Sequence, residues 1–548
     1  MASWLEHGAA RLAAWHAARV QAAFLRSVQN TRAAQDAALA RALKAVHGSD
    51  FARRLSLHRV RTPDELRRAV PLQRYDDLAP YIERLAAGEP RALLARGRRL
   101  LMLATTSGTT ARQKLIPVTD TFAQDYRRGW NVFGLKMLSD HPDAILRAIL
   151  QSSGRFDERR APGGTPIGAI TGLLARLQKP IVRRFYVGRP EIAEIPEPRG
   201  RYYALARLGV ERDVAFAVTA NPATLIRIAQ TADEESERLI RDVREGAISR
   251  ELVGAGAVRP ALAARLRPNP DLARRLERLR AEHGVLRPRD YWRLSFLACW
   301  IGGSMGHYRE RLAAWYGPLP VRDLGLLASE GRVTIPMEDD RPAGVLDVTA
   351  AFFEFIPVER FDQPQPETQL AAELIPGRDY AVVLSNAGGL LRYRLDDVVR
   401  VVGRVGDAPV LEFLYRGGRV ASLAGEKLSE NQVVEAVTMI RQQFGLPPFD
   451  FVVAPRWTDP PGYVLCSDAE LPAGFREAAD GAISHFNIEY ADRRRSGRLM
   501  ALGSERLEPG AIEKMDKALI SGRSSMAEQY KRPILFCDVR EYEAATRP

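Results

Sequence analysis

Cysteine is almost missing: Cys299, Cys466 and Cys537 are the only three in 548 residues, and they lie far apart. That excludes a disulfide framework and a paired thiolate metal site, and it fits a reducing compartment. Long apolar runs are missing too; none approaches the roughly 20 residues that a membrane span requires. The stretch from Met1 to Asn30 is rich in alanine and arginine and helical in period, but no apolar core followed by a cleavage site stands out in it. The expectation is a cytoplasmic monomer with no membrane partner. Lysine is the third scarcity. Only Lys44, Lys114, Lys136, Lys179, Lys427, Lys514, Lys517 and Lys531 occur among 80 basic residues, leaving 72 arginines. Where lysine survives such a bias, a compact ammonium that a planar guanidinium cannot imitate is a reasonable requirement, although Lys514 and Lys517 read as solvated helix positions. Basic residues are also not segregated. The net charge is +13, yet stretches such as Asp271-Leu272-Ala273-Arg274-Arg275-Leu276-Glu277 interleave both signs, and no basic patch spaced with aromatics stands out. Specific nucleic-acid binding is therefore not expected, and a non-catalytic basic binding protein ranks below an enzyme for a small anionic substrate.

What is present is ample material for burial: 46% hydrophobic residues in a chain too long for a single core, so two or more domains are expected. The first hundred residues read as helices, with Thr62-Pro63-Asp64-Glu65 as a cap. The apolar run Leu100-Leu101-Met102-Leu103-Ala104 reads as a buried strand that delivers Thr105-Thr106-Ser107-Gly108-Thr109-Thr110-Ala111-Arg112-Gln113-Lys114. Hydroxyls packed around one glycine offer side-chain O–H and backbone N–H donors together, and Lys114 adds a point charge. Such a loop suits the oxygens of a nucleotide triphosphate. A helix is expected from about Phe122 to Leu138. Residues 152–198 are rich in Gly, Pro and Arg and read as an irregular, lid-like insertion. Another helical region starts at Thr219-Ala220-Asn221-Pro222.

The pattern Gly302-Gly303-Ser304-Met305-Gly306, after the strand-like Phe296–Ile301, matches a nucleophile elbow and makes a serine hydrolase using Ser304 a rival. Its triad would need a later histidine, and beyond His307 the only one is His485. Further on, strands are expected at Val321–Ala328, Phe352–Val358, Tyr380–Ser385, Val398–Val402 and Leu411–Tyr415. Arg416-Gly417-Gly418-Arg419 reads as a glycine-weakened joint, and Ser429-Glu430-Asn431-Gln432 as a capping box. This divides the chain into 1–417 and a small mobile αβ unit, 418–548. Glu330, at the end of a strand in a small-residue loop, suits a carboxylate holding Mg²⁺ against phosphate. Asp397 at a turn suits the two ribose hydroxyls, Phe352 or a neighbour suits stacking on a purine, and Lys427 and Lys531 suit a phosphate approached from the small unit.

The loop 105–114, Ala328-Ser329-Glu330, Tyr393-Arg394-Leu395-Asp396-Asp397-Val398-Val399 and Gly425-Glu426-Lys427 together resemble the successive signatures of adenylate-forming enzymes. With Val70-Pro71-Leu72-Gln73-Arg74-Tyr75-Asp76-Asp77, Phe353-Glu354-Phe355-Ile356-Pro357 and Glu528-Gln529-Tyr530-Lys531-Arg532-Pro533, the chain resembles the Gretchen Hagen (auxin-responsive promoter) family of acyl-acid amido synthetases over nearly its whole length. The resemblance implies an α/β fold whose large N-terminal domain has a β-barrel and two helix-flanked sheets. It implies ATP and Mg²⁺ as cofactors, and a two-step ligation. A carboxylic acid is adenylated with release of pyrophosphate, then an amino-acid amine displaces AMP. Residues carried over are Thr106, Ser107 and Thr109 on phosphate, Gly108, Thr110, Lys114 and Ser329 also in the nucleotide site, Phe352 near adenine, Asp397 on ribose, Glu330 on the metal, and Lys427 and Lys531 reaching phosphate with the small domain. The same pattern demotes Ser304 to a structural turn. An acyl-CoA ligase of the same superfamily is the alternative, differing only in the acceptor. Three departures stand out: Leu327 where tyrosine is usual, Asp396 where glycine is usual, and Ala111 where glycine is common.

Overall fold

The computed structural model of the chain describes residues 4–105, 114–254, 256–302, 308–417, 420–424, 426–520 and 532–546. The architecture is mixed α/β. Local chemistry explains where several helices begin. Thr62 caps Pro63–Ala69 by accepting from the Glu65 amide, while the Glu65 carboxylate accepts from the Thr62 amide, with proline at the first turn. Ser429 and Gln432 do the same for Glu430–Gln443. Asn221 caps Pro222–Glu234. The helix expected near Phe122 runs Asp120–Asp140 and starts on the Thr119 hydroxyl.

Three sheets frame the site. Leu100–Thr105 and Leu115–Thr119 pair antiparallel, and Pro166–Gly168 joins Leu100–Thr105 in parallel, so part of the stretch expected to be irregular is sheet. A four-stranded parallel sheet runs Ala148–Gln151, Val214–Val218, Phe296–Ala298, Val321–Arg322 in that spatial order. Helices Pro198–Gly209 and Pro222–Glu234 pack on it through Leu205, Ala206, Leu225 and Ile228. In the third, seven-stranded antiparallel sheet, Tyr393–Val405 is the central strand, flanked by Asp379–Ser385 and Ala408–Arg416.

One strand expectation is corrected. Val321–Ala328 is not continuous: Val321–Arg322 ends in the parallel sheet, and Leu327–Ala328 opens a separate hairpin with Gly331–Arg332. The break is made by Asp323, 3% exposed, whose carboxylate accepts from the backbone amides of Ile301, Gly302 and Gly325. Gly325 there takes φ +78°, open to glycine at little cost.

Residues beyond 420 have an apolar core of their own. Val433, Val437 and Ile440 of Glu430–Gln443 pack on Phe451, Val453 and Leu465 and on Ile483. This is the amphipathic face that the spacing predicts. Among the described residues no helix is long and apolar enough to cross a membrane.

Candidate active site

The hydroxyl-glycine loop has a fixed stem. Thr105 stands opposite Leu115 across the hairpin, which brings the two ends of the loop together. Thr106, Ser107, Gly108, Thr109 and Thr110 lie outside the described residues, as do Ser304 and Lys531. At the returning end, the Lys114 ammonium sits 5.8 Å from the centre of the Tyr75 ring, and the Tyr75 hydroxyl accepts from the Leu115 amide at 3.0 Å. Ser329 donates its hydroxyl to the Thr105 carbonyl at 2.9 Å. The second signature is thereby bolted to the stem of the first.

Ser329 and Glu330 form the two-residue connection of the Leu327–Arg332 hairpin. A turn would normally be solvated, yet Glu330 is 2% exposed. Asn386, itself buried, donates its amide to the Glu330 carbonyl at 2.7 Å and so pins the turn inside the molecule. Burial pushes the Glu330 carboxyl above the ordinary glutamate range, against the pull of the Arg416 and Lys114 charges and of the Tyr393 hydroxyl bonded to it. One carboxylate oxygen, Oε1, is buried without a hydrogen-bond partner. An orphaned acceptor of this kind calls for a donor or a cation.

Asp397 lies opposite Arg416 in the register of the two long strands and is 6% exposed. The Asp397 charge is the main cause that holds the Arg416 guanidinium above its ordinary range, with Glu330 and Tyr393 adding to it. The neighbouring carboxylate behaves differently. Asp396 takes φ +60° and turns to Arg394 at 3.1 Å and Arg74 at 3.8 Å. The Val70–Asp77 motif is hooked onto the same strand: Gln73 exchanges backbone hydrogen bonds with Arg392 and Arg394, both at 2.9 Å. Glu330, Asp397, Arg416, Lys114 and Tyr393 are thus one interacting group, drawn from three separate stretches of chain.

Magnesium, which the resemblance implies, can be tested on these residues. Among the described residues no group of three or more His, Cys, Asp or Glu could hold a metal ion. Mg²⁺ held chiefly by substrate phosphates needs only one or two carboxylates, and Glu330 with its unpartnered oxygen fits that role.

Two expected residues have other contacts. Phe352 is 1% exposed, packed in the main core, and closes a cavity against Thr31 and Gln35. The phenylalanine-rich run Phe352–Pro357 serves as a core strand. Lys427 is on the surface, its ammonium paired with Asp362 and its amide donating to Glu489 at 3.0 Å. Arg416, Tyr393 and Tyr75 were not singled out from sequence. The one signal for Tyr75 and Tyr393 is that both fall inside the family-like motifs; Arg416 is one of 72 arginines and carries none.

Three family models match the chain in succession: GH3 family N-terminal domain over residues 20–321, GH3 family central domain over 344–416 and GH3 family C-terminal domain over 431–539. The chain is similar to a probable indole-3-acetic acid-amido synthetase, GH3.12, of Oryza sativa subsp. japonica, with 28% identity over 574 residues, covering 94% of this chain and 92% of that one. It is also similar to a jasmonoyl–L-amino acid synthetase, JAR6, of Nicotiana attenuata, with 26% identity, covering 74% and 72%. The fold matches the solved structure of the acyl acid amido synthetase GH3.15 with a TM-score of 0.81 at 20% identity, over 96% of this chain and 95% of that one.

Proposed function

Because the chain belongs to the GH3 family, we propose that it is an ATP-dependent ligase that joins the carboxyl group of an acyl acid to the amine of an amino acid. The observation that carries the reading is the Glu330 group: a buried carboxylate with a spare oxygen, faced by Arg416, Lys114 and Tyr393, at the stem of a hydroxyl-rich loop. Relatives named as amido synthetases for indole-3-acetic acid and for jasmonate support the amine acceptor over a thiol.

A carboxylate resists nucleophilic attack at neutral pH, and its charge repels a polyphosphate. In the proposed first step a carboxylate oxygen of the acid attacks the α-phosphorus, and the bond from that phosphorus to the bridging oxygen of pyrophosphate breaks. Lys114 stands by to offset the charge that builds on the phosphoryl oxygens, Arg416 balances Asp397 and Glu330, and the loop hydroxyls supply donors. Glu330, with its spare oxygen, would hold a magnesium ion, and that ion would supply further charge neutralisation. Asp397 accepts from the ribose hydroxyls. In the second step the amine attacks the acyl carbon, loses a proton, and AMP leaves as the acyl–oxygen bond breaks. Lys427 and Lys531 belong to the unit 418–548, which we read as a cap that closes from a joint near Gly417. We further read the seven-stranded sheet as the barrel-like part of the large unit 1–417. The working form is taken to be a cytoplasmic monomer.

The test is exchange of labelled pyrophosphate into ATP against a panel of carboxylic acids that includes indole-3-acetate, benzoates and fatty acids. Acid-dependent exchange is expected with at least one class, followed by amide product on adding amino acids. A purified, folded chain that exchanges with none of them sinks the reading, and a product only with coenzyme A replaces the acceptor.

A further inference from the structure

The C-terminal unit meets the rest of the chain through charges, and they are not evenly spread. The helix Arg309–Tyr316 presents Glu310 and Arg311 side by side. Arg311 donates to both oxygens of Asp450 at 3.0 and 3.2 Å, and Glu310 accepts from Arg441 at 2.7 Å. Asp450 and Arg441 both lie beyond residue 420. Adjacent charges of opposite sign, facing opposite partners, allow one docking register and penalise its neighbours with like-charge contacts.

Asp450 does more than face Arg311. Its Oδ1 also accepts from Arg532 at 2.8 Å, and Arg532, whose side chain is 10% exposed, is gripped from its other side by Asp516 at 3.0 Å. Two carboxylates around one guanidinium leave that trio with one excess negative charge, which Arg311 neutralises on docking. The segment after Arg532 is fixed as well. The amides of Ile534 and Leu535 donate to one oxygen of Glu430 at 2.7 and 3.2 Å, and Phe536 donates to the Val453 carbonyl at 2.9 Å. Arg532 follows directly on the family-matched lysine, Lys531.

We propose that Asp450 is a positioning residue for the adenylation step: it orients the C-terminal segment through Arg532 and is itself registered on the rest of the chain by Arg311. The inference rests on the adenylating function proposed above only for its catalytic consequence; the docking geometry stands by itself. Arg311 donates to both oxygens of the shared carboxylate and Arg532 to Oδ1 alone, so undocking withdraws one of the two guanidiniums that keep Asp450 in place. The result is a coupling between the seam and the segment, with no contact between Asp450 and the reacting atoms.

The experiment uses the full-length protein. Hydrogen–deuterium exchange is compared for the unmodified chain, Arg311→Glu, Glu310→Arg, and the swap Glu310→Arg/Arg441→Glu. Arg311→Glu sets two like charges face to face. It is expected to raise amide exchange roughly 5–30-fold in 309–316 and 532–536, and to leave the seven-stranded sheet unchanged. The swap is expected to restore what Glu310→Arg loses. Pyrophosphate exchange with ATP and indole-3-acetate is run in parallel. Arg311→Glu and Asp450→Asn should then lower kcat about tenfold with KM for ATP unmoved, and Asp450→Glu should recover part of the loss. Unchanged protection in Arg311→Glu, loss spread evenly over every sheet, or a swap that restores nothing would overturn the proposal. A chain that shows the predicted protection pattern but no exchange with indole-3-acetate keeps the seam and counts against the adenylating reading for that acid.

Discussion

Substituting Glu330→Gln separates function from stability in a way that follows from burial. Burial holds this carboxyl above the ordinary glutamate range, so the native state keeps the proton to higher pH than the unfolded chain does. Stability from such a group is complete below the unfolded value of about 4.3 and is lost as pH rises through the higher folded value. Glutamine keeps the shape and never ionises, so the variant escapes that loss. Its stability relative to the unmodified chain should rise between pH 4.5 and pH 7.5, staying within about 1 kcal/mol or better at neutral pH. Activity should move the other way. Removing one preorganised charge from a buried site costs roughly 10²–10³-fold, about 2.7–4 kcal/mol of transition-state stabilisation. Thermal midpoints at the two pH values, with acid-dependent pyrophosphate exchange, read both. Exchange within about threefold of the unmodified chain, or a loss of more than about 2 kcal/mol at pH 7.5, would refute the reasoning.

The two adjacent aspartates should behave unlike one another: Asp397→Asn is expected to raise KM for ATP roughly 10–100-fold, the worth of a hydrogen bond to a charged acceptor, while Asp396→Asn, paired outward with Arg394 and Arg74, changes it less than threefold or so. Reversal of that order in steady-state kinetics would exchange their roles. Gly129→Ala should destabilise by about 1–3 kcal/mol in urea titrations, although alanine is the better helix former. A methyl there would run into the Asp347 carboxylate and come within 2.7 Å of Arg332 Cδ, on a side chain clasped between Trp130 and Phe133; a stabilised variant would show that this neighbourhood yields. Lys427→Ala should shift stability by less than about 1 kcal/mol, since its pair with Asp362 is exposed, and slow turnover if the lysine reaches phosphate; a variant with full turnover removes Lys427 from the chemistry. Lys531→Ala should cut exchange by roughly two orders of magnitude, and near-normal exchange would remove that lysine as well.

How much of this was legible in the sequence divides along the range of the interactions. Capping signals are local, so Thr62, Asn221 and Ser429 could be read as helix starts, and each has its cap hydrogen bond. The sheet strands downstream of residue 350 were also legible, since β-branched and apolar runs survive without tertiary knowledge. Glu330 and Asp397 were reachable from their local places and as motif members, but nothing local says that a two-residue turn will be buried; Asn386, 56 positions away, helps to pin it inside. Arg416 was invisible for a compositional reason: among so many arginines one more carries no signal, and its partners are set by strand register. Phe352 was ambiguous because aromatic character serves a core strand as readily as a base-stacking site, and its burial in the main core is a matter of packing. The break at Asp323 was missed because an aspartate accepting three distant amides looks like any other in one dimension.

The charge balance of the site explains why a second unit should be needed at all. Glu330 and Asp397 contribute two negative charges, Arg416 and Lys114 two positive ones, so the described group is close to neutral before any nucleotide arrives. A triphosphate adds several negative charges, and the acid adds one more. Arg416 is already committed to Asp397 and Glu330, and Asp396 has claimed Arg394 and Arg74. On the proposed reading, the missing positive charge would come from a cation on the orphaned Glu330 oxygen and from ammonium groups delivered from outside. Lysine suits delivery better than arginine, because a compact ammonium on a flexible stem can withdraw once pyrophosphate leaves. On this account the scarcity of lysine and the polar seam at Arg311 and Asp450 answer the same demand. If the unit 418–548 closes as proposed, Lys427 and Lys531 would make up the shortfall of positive charge only while that unit is docked.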